Sequence, residues 1–554
     1  MQKLFSKEGK SLPEIPWDAY PRPQLRRRDW LCLNGTWSLQ FGHTQTEILV
    51  PFCPESLLSG VERAPAIGEE MIYRRSFSVP DTWAGQHILL HFGAVMRDAQ
   101  VLVNGQVVCR HENGYLPFSV DITNVLHLDE NELCVRVRND LDRRFPRGKQ
   151  SVRRGGMWYT PCSGVWQTVW LEPVPECHVR ALRFSCGADR VEIQAEGVSE
   201  GVVSLDGNDY PIRNGSATIS LACPHLWSPE DPHLYYFTLT AGEDRVESYF
   251  ALRTLSTEII RGVPRLCLNG KPYFFNGLLD QGYWSDGLYT PATPQGFEND
   301  ILAMKSLGFN TLRKHIKTEP EQFYYDCDRL GMIVFQDMVN NGEYRYFRDT
   351  ILPTIHLKKR SDCRLNPDPE TRRNFLAAME ETVLLLDNHP CICLWTIFNE
   401  GWGQFCADDA YRKLKAIDGN RFVDSTSGWF HQSLSDVDSL HIYFGKLRLG
   451  RQRLPQFLSE FGGYVWKLPE HSFNTEKTYG YRIYKTRDDY MRGLQGLFTA
   501  LIPLAKQGLC GSVYTQVSDV EDETNGLFTF DRAVLKARPE ELNVFAGQLQ
   551  EAVR

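Results

Sequence analysis

The chain has 554 residues, 42% of them hydrophobic and 12% aromatic, too long for one ordinary domain and too apolar for a disordered polymer. Its 61 basic and 69 acidic residues leave a net charge of −8, without the basic footprint by which proteins hold nucleic acid. No apolar run is long enough to span a bilayer, the opening MQKLFSKEGKSLPEIPWDAY lacks the apolar core of a signal peptide, and fifteen cysteines without framework spacing fit a reducing cytoplasm.

From about Trp30 to Glu172 the chain reads as short alternating strands broken by turn dipeptides: MIYRRSFSV, HILLHFG, AQVLVNGQVV, NELCVRVRND and GVWQTVWLE. That pattern predicts an antiparallel sandwich, with Asn104-Gly105 as a hairpin turn. The sequons at Asn34 and Asn214 are read as turns rather than glycosylation sites. A dense basic stretch, Arg143, Arg144, Arg147, Lys149, Arg153 and Arg154, precedes GMWYTPCSGVWQTVWLE. It is either a solvated loop or a loop that folds over the mouth of a later domain to meet an anionic or polar substrate. VRALRFSC, VEIQAEGV, GVVSLDG and YYFTLTAG then predict a second, smaller sandwich.

After about residue 260 amphipathic helical stretches alternate with apolar runs that end in polar residues. Eight candidate strands follow in order: KPYFFNG, FNTLRKH, MIVFQDM, CICLWTIFNE, RFVDSTSG, SLHIYFG, PQFLSEFGG and GSVYTQVSD. Eight parallel strands in about 290 residues predict a (β/α)₈ barrel. The helix between the fifth and sixth strands is the faintest of the connections.

A barrel builds its site at the C-terminal ends of its strands. Glu400 closes the fourth strand and Glu460 the seventh, so the two carboxylates face each other across the mouth. Such a pair suits glycoside hydrolysis, in which one carboxyl donates a proton to the departing oxygen and the other, ionised, attacks or activates water. A solvated rim charge is the alternative for either residue alone. Cys391 and Cys393 lack a second pair at zinc spacing and read as buried thiols. The acidic run Asp519, Glu521, Asp522 and Glu523 lacks the spacing of a calcium loop. No metal or cofactor is called for.

DNHPCICLWTIFNEGWG and FLSEFGG, together with SGVWQTVWLE, HLWSPEDPHLY and LCLNGKPYFFNG, resemble glycoside hydrolase family 2 over almost the whole chain. The resemblance implies a jelly-roll-like sandwich over 1–175, an immunoglobulin-like sandwich over 176–257 and a catalytic TIM barrel over 258–554. It also implies a retaining exo-β-glycosidase with Glu400 as general acid/base, Glu460 as nucleophile, Asn399 on the sugar 2-hydroxyl and Arg313 supporting the ionised nucleophile. His441, Tyr443, Asp280, Asp337, Trp402 and Trp429 are the further substrate-binding candidates, with Trp284 as another stacking face.

Two departures stand out. The second strand runs RKHIKTEP where the family shows Arg-x-x-His-Tyr-Pro, and the eighth carries Tyr514 and Gln516 where a Trp commonly forms the sugar platform. The nearest approach to the Asn-x-Lys uronate motif is Asn474-Thr475-Glu476-Lys477, one residue too long, so a β-galactoside is expected before a β-glucuronide. A binding protein without catalysis is the rival of another class. Partners are a carbohydrate or glycoconjugate, neither nucleic acid nor membrane, with self-association left open.

Overall fold

The computed structural model describes residues 1–352, 361–450 and 453–554. The first sandwich sets a six-stranded sheet against a four-stranded one. The strand Gly35–Phe41 is buried at every second residue, the signature of a sheet with one face on a core. Trp37, Leu39, Tyr73, Leu90, Val101, Val135 and Leu171 fill the space between the layers. Asn104 and Gly105 both take positive φ, 51° and 78°, as a two-residue turn matched to strand twist requires. Asn34 is fully buried, where its amide accepts from the Val169 amide at 3.0 Å and donates to the Pro16 carbonyl at 3.0 Å.

In the second sandwich seven strands form one hydrogen-bonded series that nearly parts at the Asn214-Gly215 turn, where a single residue pair, Arg213 with Ser216, joins Asn208–Arg213 to Ser216–Ser220. There the series bends into layers of three and four strands around Val191, Ile193, Val203, Leu205, Ile219, Leu239 and Val246.

All eight expected barrel strands are present: β1 (Phe275–Asp280), β2 (Thr311–Lys314), β3 (Ile333–Asp337), β4 (Ile392–Asn399), β5 (Phe422–Ser427), β6 (Asp438–Ile442), β7 (Gln456–Phe461) and β8 (Leu509–Tyr514). They pair in parallel in the order β5-β4-β3-β2-β1-β8-β7-β6. Side chains bridge β5 and β6: the Ser439 hydroxyl donates to the Thr426 carbonyl at 3.5 Å, and Ser427 Oγ lies 3.1 Å from His441 Nε2. The faint helix between these strands is absent, since residues 428–437 form a loop. No helix is described between β6 and β7 either; the helices Gln295–Ser306, Glu321–Leu330, Pro369–Leu386, Ala407–Ile417 and Arg487–Gln507 make the other five crossovers. Local chemistry sets their ends: Asp368 caps Pro369–Leu386 by accepting from the Thr371 amide at 2.9 Å, and Gly331 ends Glu321–Leu330 in the left-handed region. Among the described residues no helix is long and apolar enough to cross a membrane.

The sandwiches dock at opposite ends of the barrel. From the second, Tyr249 donates to Asp328 at 2.8 Å and the Trp227 indole to the Asp328 carbonyl at 2.7 Å, just ahead of β3. The first instead sends residues 143–162 over the C-terminal mouth, where the Arg147 amide donates to the Asn340 carbonyl at 3.1 Å and the Thr160 amide to Glu521 at 2.9 Å. The segment before Leu31 adds no strand to the first sandwich. Instead it straps the units together, with the Trp17 indole on the Pro291 carbonyl at 2.8 Å and the Arg27 guanidinium shared between Asp244 at 2.8 Å and Glu172 at 3.1 Å.

Candidate active site

β4 is buried along its whole length and ends at Asn399. The next residue, Glu400, takes a left-handed φ of 53°, and its amide donates to the Ser427 carbonyl at 3.0 Å. Gly401 continues the turn at φ 74°, and a Cβ there would lie 2.4 Å from the Phe430 ring, so only glycine fits. The turn lifts the Glu400 carboxyl off the strand end. Glu460, in contrast, lies inside β7 and is 4% exposed.

Arg313 organises the nucleophile side from β2. Its Nε donates to both oxygens of Asp337 at 2.9 and 3.1 Å, its Nη1 to Glu460 Oε1 at 3.1 Å and the Ser459 carbonyl at 3.0 Å, and its Nη2 to Asn399 Oδ1 at 2.9 Å. The Tyr443 hydroxyl donates to the other oxygen of Glu460. Burial by itself would raise the pKa of Glu460, but His441, Arg313, His315 and Lys149 outweigh it and hold the carboxyl well below its usual range. Asp337 is likewise depressed, against burial, by Arg313 and His315. His315, linked to Asp337 through Nδ1 at 2.6 Å, is lowered to about 4 by burial and by Lys149. Near neutral pH it is an uncharged imidazole.

Glu400 has a different neighbour. His441 places Nδ1 2.7 Å from Glu400 Oε1, while its Nε2 lies 3.1 Å from Ser427 Oγ and 3.6 Å from Glu460 Oε1. The Trp429 indole donates to the Glu400 carbonyl at 3.1 Å and packs edge-on against His441. One oxygen from each carboxylate and one His441 nitrogen all fall within 4.8 Å of one another. This spacing could also suit a metal ion, but Arg313 already supplies the positive charge at Glu460.

A cavity with about 520 Å³ of empty space opens between the two carboxyls. Glu400, Glu460, Asn399, Tyr443 and Trp402 line it, as the sequence led us to expect. Because Arg313 occupies the Asn399 oxygen, the Asn399 amide nitrogen remains available to the cavity. Arg313 stands where the family resemblance put it, behind the wall and on Glu460. His441, Asp337 and Trp429 also stand behind the wall and hold the residues that form it, rather than facing the cavity. Asp280 is drawn away by Lys314, 2.6 Å from its carboxylate, and Trp284 is a core residue under the Arg532 guanidinium. RKHIKTEP explains the Asp280 shift: Lys314 and Lys317 converge on Glu319 at 2.9 and 2.8 Å, forming a buried ion network.

Sequence reasoning missed Lys149, Met157, Trp158, Gln281, His315, Tyr344, Tyr479, Tyr481, Thr515 and Glu523 on the cavity wall. The basic stretch was the signal for Lys149 and the motif that follows it for Met157 and Trp158; the loop lies over the mouth, with Arg143, Arg144 and Arg153 solvated. Tyr481 stacks on Tyr443 with ring centroids 3.7 Å apart, supplying an aromatic wall where Tyr514 and Gln516 are buried and do not line the cavity. Cys391 and Cys393 are buried free thiols.

A barrel with paired glutamates at β4 and β7, roofed by a sandwich loop, defines a glycosidase-type architecture. The description "Glycosyl hydrolases family 2, TIM barrel domain" matches residues 260–447, "Glycosyl hydrolase 2 galactose-binding domain-like" matches 59–189, and "Glycosyl hydrolases family 2" matches 186–253. The chain belongs to glycosyl hydrolase family 2. It is 28% identical over 414 residues to a β-galactosidase of Aeromonas hydrophila, covering 68% of this chain and 38% of that protein. It is 26% identical over 389 residues to a putative β-glucuronidase of Formosa agariphila, covering 64% and 34%. The chain thus spans well under half the length of these curated relatives. A β-D-glucuronidase of Dictyoglomus thermophilum superposes with a TM-score of 0.74 at 18% identity, covering 96% of this chain and 98% of that one. A β-galacturonidase of Eisenbergiella tayi bound to galacturonate gives 0.70 at 19%, covering 97% and 99%. These two show the fold.

Proposed function

We propose that the chain hydrolyses terminal β-linked sugars with retention of anomeric configuration. The observation that carries this reading is that an oxygen of Glu400 and one of Glu460 lie within 4.8 Å of each other, on the short side of the carboxyl separations that divide retaining from inverting glycosidases. Glu460, kept ionised by its neighbours, attacks the anomeric carbon and forms a glycosyl ester as the C–O bond to the aglycone breaks. Glu400 gives its proton to the departing oxygen. It then takes a proton from water, whose oxygen attacks the anomeric carbon and frees Glu460. Asn399 offers its amide to the sugar 2-hydroxyl, where a hydrogen bond strengthens as the oxocarbenium-like state develops. His441 links the two carboxyls, and Tyr443 fixes the line of attack.

The roof from the first sandwich supports exo action on a terminal sugar. A β-galactoside remains the first expectation and a β-uronide the second; the names of the relatives include both. Fifteen free thiols support the cytoplasmic reading. Incubation with a 2-deoxy-2-fluoro β-glycosyl fluoride should label Glu460, found by peptide mass mapping, and Glu460→Ala should lower aryl glycoside turnover by about 10⁵-fold or more. A label on another residue, or a first product of inverted configuration by NMR, would overturn the assignment. Ligand binding without any turnover would favour the non-catalytic rival.

A further inference from the structure

We propose that Glu523, working with Lys149, reads the hydroxyl groups of a neutral sugar held between Glu400 and Glu460, and so selects neutral β-glycosides over β-uronides. The inference rests on the glycosidase reading and names the sugar class of that site.

The acidic run after β8 divides cleanly. Asp519 is taken by Lys536 at 2.7 and 2.9 Å, Glu521 by the Thr160 amide at 2.9 Å and Arg154 at 3.3 Å, and Asp522 by Asn474 at 2.9 Å. Glu523 alone of the four lines the cavity. It is 4% exposed and locked in place. Its amide and carbonyl bond reciprocally to Val520 at 2.9 and 2.8 Å, the Tyr159 hydroxyl donates to one carboxylate oxygen, and Asn525 donates to the other at 3.1 Å. A carboxylate offers about four lone-pair positions, so each oxygen keeps capacity for a further donor.

Lys149 lies on the same cavity wall, carried there by the first sandwich. Its ammonium lies 5.9 Å from the centre of the Tyr159 ring and has no hydrogen bond or ion pair among the described residues. Burial raises the Glu523 carboxyl above its usual range and the Lys149 charge opposes that rise, as it does at Glu460, while it lowers His315. A spare acceptor and a spare donor on one wall are what hydroxyl groups match, because each hydroxyl both donates and accepts. A uronate carboxylate only accepts. At this wall it would meet Glu523 and Glu460 with one free ammonium in reach, and like charges at close quarters are strongly disfavoured. The motif that could have supplied another cation does not: Lys477 is exposed and off the cavity, and Asn474 is turned to Asp522.

The test compares kcat/KM on 4-nitrophenyl β-galactoside, β-glucoside and β-glucuronide for the wild type, Glu523→Gln and Lys149→Met, with melting temperatures measured alongside. The wild type should favour a neutral glycoside over the glucuronide by about 100-fold or more. Glu523→Gln should lose about 10–100-fold on the neutral substrate and hold or gain on the glucuronide, so that the ratio narrows. Lys149→Met, at a half-exposed position, should lower the neutral rate and carries the test should Glu523→Gln fail to fold. Wild-type preference for the glucuronide, or an unchanged ratio in the variants, would overturn the inference while leaving the glycosidase reading intact. No turnover of all three, with Glu460 unlabelled by the fluoroglycoside, would remove both.

Discussion

Glu460 and Glu400 share a cavity but are held in opposite ways. Glu460 lies inside a strand, its side chain is 6% exposed, and Arg313 and Tyr443 engage both of its oxygens. Glu400 sits one residue beyond its strand on a left-handed turn, its side chain is 16% exposed, and His441 is the side chain on its carboxyl. The difference follows the proposed division of labour. A group that must attack along one line gains from being locked and ionised, whereas one that surrenders and recovers a proton must be reachable by water.

Glu400→Ala should break the comparison most visibly. Turnover of a phenyl glycoside should fall by about 10³–10⁴-fold, while a 2,4-dinitrophenyl glycoside, whose leaving group needs no proton, should lose far less, and azide should restore rate by forming a β-glycosyl azide. A uniform loss across leaving groups would deny Glu400 the proton-transfer role.

Next comes Arg313→Met, with a loss of about 10²–10³-fold near neutral pH. The guanidinium depresses Glu460, so its removal raises that pKa, and the acidic limb of kcat/KM should move to higher pH. The sign for stability follows from the same depressed groups, Glu460 and Asp337. What their ionised forms contribute is present above the unfolded carboxylate pKa and lost as pH falls through the folded one. Two buried carboxylates left without their cation should also cost about 3–5 kcal/mol in thermal or denaturant unfolding. An unmoved acidic limb would mean that Arg313 serves only the fold.

The smallest effect belongs to Tyr443→Phe. It removes one donor from Glu460 and leaves the guanidinium, so kcat should drop about tenfold, with KM and the acidic limb close to wild type. A shift as large as that of the Arg313 variant would erase the distinction between charge and alignment.

The barrel was legible because its strands are apolar runs with polar residues at or near their C-terminal ends, Glu400 just past β4 and Glu460 one residue before the end of β7. Asn399 and Tyr443 could be placed for the same reason, as residues at or just past strand ends. Asp280 and Asp337 looked like recognition groups by that logic. Their true partners, Lys314 for one and Arg313 with His315 for the other, lie on or just past the neighbouring strand β2, and a one-dimensional pattern does not say which of two adjacent strand-end charges turns inward. Tyr479, Tyr481 and Glu523 sit in loops without periodicity, where contact depends on chain far away. Lys149 was visible only as part of a basic stretch, since its position over the mouth depends on how the first sandwich docks.

That docking has a temporal side. Tyr159 and Lys149 emerge from the ribosome some 370 residues before Glu523, so the roof exists long before the floor it must cover. The pocket is complete only when the last barrel loop closes onto a sandwich already folded, and a nascent chain stalled short of that loop would carry both glutamates yet lack the wall facing them.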